Sequence, residues 1–299
     1  MVTVPLFRAR SYSHGWPVGL LLAAPCVHGA SSLDVCSEPA PERAFRAAYQ
    51  LYDDASVSGA DLARDNWAVD AMFRAGDDWL MGGAYRGTLI DESEAGFRTN
   101  GYLHSFYFAL HRLRTGDRRL RWAIAPALSG SSNVTKDSDE YDGEAWQFNF
   151  AAVWEWPAND ALSYRAGLCA DHRFGRYRAY PVLALSLKPH PDWLLEAGFP
   201  DTQIHYRPGA VLGAALAIYP NGNEWYVKDD TLEYASMFEY RAWAVDLSLH
   251  WRVSEAIALA FIAGMDVDAE YRGELEDGSR PALDAGTVGR AGIEFAWVF

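Results

Sequence analysis

From Phe45 to the final residue, apolar and polar side chains alternate with a period of two, the repeat of an extended strand whose neighbours point to opposite faces. Phe45, Ala47, Tyr49 and Leu51 share one face, with Arg46 and Gln50 on the other. Trp67, Val69, Ala71 and Phe73 oppose Asn66, Asp70 and Arg74; after a turn at Gly76-Asp77-Asp78, Trp79, Met81, Tyr85 and Leu89 oppose Arg86 and Thr88. The cleanest alternation runs from Trp146 to Trp156, ahead of a tight turn expected at Pro157-Ala158-Asn159-Asp160. Farther on, Trp243, Val245, Leu247, Leu249 and Trp251 oppose Asp246, Ser248 and His250, and Met265 and Val267 oppose Asp266, Asp268 and Glu270.

Short Gly/Asn/Asp turns alternate with long polar loops such as 55–61, 91–100 and 131–144. That rhythm predicts an all-β fold, a closed antiparallel transmembrane β-barrel with short turns on one side and longer loops on the other. About 14 strands are expected, because single-chain bacterial barrels have even strand numbers and Pro200-Asp201 then serves as an outer turn; 12 is the alternative if a short segment does not span. The chain ends on Ile293, Phe295, Trp297 and Phe299 on one face of a terminal strand, with Glu294 opposite. Such an ending resembles the strand with which bacterial outer-membrane barrels close and present themselves to their assembly machinery.

Composition fits this picture and removes others. Twelve Trp, 16 Tyr and 14 Phe make 14% of the residues aromatic, while mean hydropathy is only -0.16. Helical spans need about 20 consecutive apolar residues, and no such run exists. The net charge of -14 argues against a nucleic-acid partner, which requires a basic surface. Arg8 and Arg10, the apolar run Val18–Ala24 and the small residues near Gly29-Ala30 have the order of an export signal. The chain therefore divides into a signal peptide (1–30), a Pro-containing periplasmic lead-in (31–42) and a barrel (43–299). Cys36 and Cys169 remain after signal removal and face an oxidising compartment, with their pairing left open.

The stretch Tyr180–Pro189, continued by Trp193–Pro200, resembles a segment of an uncharacterised family of bacterial outer-membrane β-barrel proteins. The resemblance covers roughly the second half of the chain. It implies fold and outer-membrane location and brings no catalytic residues.

Placed opposite the apolar face, one set of charges is expected to line the lumen. Its cations are Arg46, Arg74, Arg86, Arg119, Arg121, Arg165, Arg178 and Arg290; its anions are Asp70, Glu155, Asp171, Asp246, Asp266, Asp268 and Glu294. Either they select solutes by charge at a constriction, or they pair across the lumen and stiffen it. His104 and Ser105 have the residue types of a lipid hydrolase, yet adjacent strand residues face opposite sides, so another strand would have to supply a partner. Asp171-His172-Arg173 reads as rim, and Asp137, Asp139, Asp142 and Glu144 read as a solvated loop. The expectation is a non-enzymatic, porin-like or structural barrel without cofactor or metal. Its expected partners are the lipid bilayer, lipopolysaccharide, the barrel-assembly machinery and small solutes. A lipid-modifying enzyme and a soluble periplasmic β-protein are the alternatives.

Overall fold

The computed structural model describes residues 35–36, 43–57, 60–76, 78–93, 101–114, 119–136, 143–229, 234–273, 279–280 and 282–299. The expected export signal, and Asp137, Asp139 and Asp142, lie outside these. Strand β1 (Arg43–Tyr52) pairs with the last strand, β15 (Ala282–Val298), from Ala44 against Val298 to Tyr52 against Arg290. Its other edge pairs with β3 (Ala60–Arg74). Antiparallel neighbours then follow in chain order: β4 (Trp79–Ser93), β5 (Gly101–Arg114), β6 (Arg119–Ser131), β7 (Trp146–Asn159), β8 (Leu162–Asp171) and β9 (Arg178–His190). The ring continues through β10 (Trp193–Phe199), β11 (Thr202–Tyr206), β12 (Leu212–Asp229), β13 (Tyr234–Arg252) and β14 (Ile257–Arg272). The short β2 (Ala55–Val57) only prolongs the line of β1 against β3, so the closed ring has 14 strands. No helix among the described residues is long and apolar enough to cross a membrane; α1 (Ser132–Lys136) is a single turn after β6.

The two faces separate as the alternation predicts. Phe106, Phe108, Phe148, Leu183, Leu247, Leu249, Phe261 and Ile293 are exposed on the outside. Arg46, Asp70, Asp246, Asp266, Arg290 and Glu294 are buried on the inside. An apolar band of this extent facing water would forgo about 25 cal/mol for every Å² left wet. Around a closed ring whose backbone ladders satisfy one another, the band instead matches lipid tails.

Local departures from the expected pattern have identifiable causes. The β7–β8 turn falls at 160–161 rather than 157–160, because β7 runs on through a bulge between Pro157 and Asn159. Part of the loop expected at 55–61 is β2 and the start of β3. On β14 a register shift between Asp266 and Ala269, with Asp268 at φ 53°, inserts an extra residue. Side-chain parity flips there: Ala269 and Tyr271 turn inward, and Asp268 is exposed instead of joining the buried set. The described part of the expected lead-in, Val35-Cys36, is buried inside the barrel.

The barrel is uneven in height. β10 and β11 have 7 and 5 residues, against 18 and 19 in β12 and β13. Pairing of β11 with β12 ends at Thr202 opposite Ile218, so among the described residues the farther part of β12 has no wall neighbour on that edge. An open edge in lipid is not tolerated. Pro220, which has no N–H to leave unpaired, stands just past the last wall pair, and the strand leans across the interior until Tyr226 meets Gly130 of β6 in a parallel bridge. The approach requires glycine at 130, where a Cβ would sit 2.9 Å from the Tyr226 carbonyl oxygen. Above the low sector, Phe174 of the 172–177 turn packs against Phe199, Tyr180 and Trp243, with ring centroids 6.0, 4.9 and 6.0 Å away.

Candidate functional site

The crossing part of β12 divides the interior, and two recesses flank it. The first is lined by Val35, Tyr107, Gln147, Asn149, Asp171, His172 and Arg173; the second by Gln50, Arg64, Asn66, Thr88, Ser105, Asn221 and Trp225. Arg86, Gly222 and Asn223 line both. Side chains satisfy the backbone that the crossing strand exposes. Gln147 Nε2 donates to the Glu224 carbonyl at 2.6 Å, and Asn133 Nδ2 donates to the Lys228 carbonyl at 3.3 Å. Asn223 Nδ2 donates to Ser105 Oγ at 3.0 Å, and that hydroxyl also bonds to Ser129 Oγ. Gly222 is pressed between the 172–177 turn and β13: a Cβ there would lie 2.6 Å from Gly175 N and from the Tyr240 carbonyl oxygen.

On the β1/β12–β15 side the interior is locked by ions. Arg290 Nε and Nη2 donate to Asp246 at 2.9 and 2.6 Å, and Nη1 lies 3.2 Å from Asp266. Nη2 also donates to Tyr219 Oη at 2.7 Å, which in turn donates to Asp246 at 2.6 Å. Asp266 accepts further from Asn221 Nδ2 at 2.9 and 3.1 Å and from the Tyr240 hydroxyl. The Arg64 guanidinium stands 3.8 Å from the Tyr240 ring centroid, 4.4 Å from that of Tyr52 and 4.0 Å from Asp266. Arg290, Asp246 and Asp266 are among the charges that alternation turns inward; Tyr52, Arg64, Tyr219, Asn221 and Tyr240 join them only in the folded barrel. For Tyr52 the parity shared with Arg46 and Gln50 was the available signal.

The remaining candidates fall into smaller groups. Arg46 is 4.0 Å from Glu294 and opposite Asp70 in the β1–β3 register. Arg165 pairs with Glu196 at 2.9 Å, and Glu196 also accepts from Ser186 and Gln203. Arg119 and Glu155 are 3.7 Å apart at the rim where β1 begins and β15 ends. Arg74 and Arg178 are exposed at strand ends, Arg178 opposite buried Asp171 in the β8–β9 register. Arg121 donates to the carbonyls of Val35 and Cys36 at 3.2 and 3.1 Å. Cys36 forms a disulfide with Cys169, Cα–Cα 5.8 Å, fastening this segment to β8. Asp171 lies beside that bridge and accepts from Tyr180 Oη at 2.7 Å; with both sulfurs joined, the cluster offers a metal ion one carboxylate and no thiolate.

Arg86 differs from the other interior arginines. Its guanidinium is 5.2 Å from the Tyr107 ring, its Nε has no hydrogen-bond partner, and no ion pair to it occurs among the described residues. His172, placed at the rim by sequence, is folded inward. Its Nδ1 is 3.2 Å from Asn149 Oδ1 and its Nε2 is 3.6 Å from Glu224, and burial pushes the imidazole down to about 4. Ile293, Trp297 and Phe299 are exposed on the outer face of β15, with Phe295 half-buried beside them.

No family model matches the chain, and no curated protein matches it. Among solved structures it is similar to an outer membrane channel from Pseudomonas putida, with TM-score 0.46 and 9% identity over 89% of this chain and 98% of that one. It is also similar to the Pseudomonas putida toluene transporter TodX, with TM-score 0.45 and 9% identity over 90% and 92%. A third similar structure is the KdgM porin, with TM-score 0.38 and 8% identity over 86% of this chain and 99% of that one.

Proposed function

We propose that the protein is a bacterial outer-membrane barrel acting as a narrow channel for small solutes, with Arg86 favouring anions at its constriction. The observation that carries this reading is the pair of recesses, lined largely by polar residues, that share Arg86, Gly222 and Asn223. The inward charges that pair with one another stiffen the wall and present little net field to a solute. Arg86, without a carboxylate partner among the described residues, keeps its charge available to one. An apolar outer band and both ends of the ring on one side support placement in the outer membrane, with the termini in the periplasm. In this reading Ile293, Phe295, Trp297 and Phe299 are what the assembly machinery meets, and the bilayer and lipopolysaccharide surround the barrel. The resemblance of 180–200 to an uncharacterised outer-membrane family agrees with it.

The test is conductance and reversal potential of the full chain in planar bilayers under a KCl gradient. Small, anion-preferring channels are expected, and Arg86→Gln should remove most of that preference while leaving the barrel folded. A folded protein that stays electrically silent, or a variant with unchanged selectivity, would overturn the reading.

A further inference from the structure

The outer wall carries a hydrogen-bonded chain that the channel reading does not use. His104 projects outward from β5, three residues from its Gly101 end, flanked on the same face by exposed Tyr102 and Phe106. Its Nε2 is 2.8 Å from Ser132 Oγ, at the junction of β6 and α1, and its Nδ1 is 2.8 Å from Tyr85 Oη on β4. Three consecutive strands thus bring hydroxyl, imidazole and phenol into line. The ring is held in place by stacking, with centroids 5.9 Å from Tyr85 and 6.5 Å from both Tyr102 and Phe106. Lys136, one turn beyond Ser132 in α1, is exposed at the same end of the wall.

We propose that Ser132 and His104, with Tyr85 as a positioning residue, form an esterase site for long-chain acyl esters of membrane amphiphiles. Serine is a weak nucleophile until an adjacent base removes its proton, and the base works when a third group fixes its tautomer. With Nδ1–H donating to Tyr85 Oη, Nε2 is free to accept from Ser132; the competing acceptor, the Tyr102 carbonyl, is farther away at 3.4 Å. Oγ bonds to the ester carbonyl carbon as its proton passes to Nε2. The bond to the alcohol oxygen then breaks, and Nε2 returns the proton to that oxygen. Water attacks the acyl-serine, its proton travels through Nε2 back to Oγ, and the acyl chain leaves as a carboxylic acid. The substrate class follows from position: aromatic side chains flank the site on the outer face, and exposed Lys136, one turn beyond Ser132, offers a cation to an anionic headgroup. A phenol supports imidazolium less strongly than a carboxylate, so turnover should be slow. The inference rests on the membrane placement above and is independent of conduction.

The full chain, folded in detergent and verified by heat-dependent gel mobility, is treated with a fluorophosphonate probe. Separately it is incubated with phosphatidylethanolamine/phosphatidylglycerol vesicles and with purified lipopolysaccharide, and released fatty acid is followed by mass spectrometry. Expected results are label on the peptide containing Ser132, release from at least one of the two lipids, and a fall of about 100-fold or more in Ser132→Ala and His104→Ala. Tyr85→Phe should lower kcat about tenfold with KM unchanged, whereas Ser56→Ala, exposed on β2, should behave as wild type. Release from one lipid alone identifies the ester's source. Folded protein with no label at Ser132 and no release from either lipid, or release undiminished in Ser132→Ala, would overturn the proposal.

Discussion

Along β5, β6 and β7 the inward positions include Ala109, Ala123, Ala125 and Ala151, and the space these small side chains leave holds Val35-Cys36. Along β12 to β15 they include Tyr219, Tyr240, Tyr271 and Arg290, whose long side chains fill the interior themselves and interlock through Asp246 and Asp266. One side is packed by inserted backbone fastened by a disulfide and by Arg121, and the other by side chains fastened at many polar contacts. The contrast teaches that a barrel lumen can be occupied by two physically different means, with different vulnerabilities. The alanine side is sensitive to added volume and to release of its segment. The ionic side is sensitive to loss of any one charge.

The largest effect expected from this contrast is on the ionic side. Arg290→Met leaves Asp246 and Asp266 buried without their main cation and should destabilise the barrel by about 3–5 kcal/mol, read from urea titration of the folded fraction in lipid. A loss below 1 kcal/mol would show that the tyrosines and Asn221 suffice to hold both carboxylates. On the alanine side, Ala151→Leu adds volume against an occupied space and should lose about 1–3 kcal/mol. That penalty should shrink when Cys36→Ser frees the segment; an undiminished penalty would mean the wall itself, not the insert, sets the packing limit. The smallest effect concerns His172, between the two sides. It faces Glu224 and Asn149, with Asp171 and Arg173 as chain neighbours, and burial holds it neutral down to about pH 4 against an ordinary value near 6.5. Between those values the unfolded chain binds more protons than the folded one, so stability falls as pH falls. Lowering pH from 6.5 to 5.5 should cost roughly 1 kcal/mol more in wild type than in His172→Asn. Equal pH slopes would remove His172 from the account.

How far the sequence revealed this arrangement depends on whether alternation alone carried the information. It did for the ring: period two identified the outward face, and the even-number rule made Pro200-Asp201 a hairpin, which β10 and β11 form. It did so for Arg46, Asp246, Arg290 and Glu294, which lie where parity puts them. Alternation is blind to a strand that leaves its wall, and 225–227 are buried on both sides because that stretch of β12 lies inside the lumen. It also fails past a bulge, which is why Asp268 was misplaced. Aromatics were ambiguous as well, since a tyrosine at the bilayer interface and one donating to a buried carboxylate have the same pattern. The Ser132–His104 contact joins positions 28 residues apart, and only strand register brings them together.

The low sector between β9 and β12 has consequences beyond the molecule. A strand crosses the hydrocarbon layer with about 9–11 residues, and β10 and β11 have 7 and 5. In the membrane placement proposed above, the outer monolayer beside them would meet the rings of Phe174, Phe199 and Trp243 rather than a continued backbone ladder. Tails packed there must tilt or shorten, so the mismatch in thickness is concentrated on one arc of the circumference. In that placement the surrounding lipid would meet the protein as a cylinder with a notch, with its strain gathered along that arc.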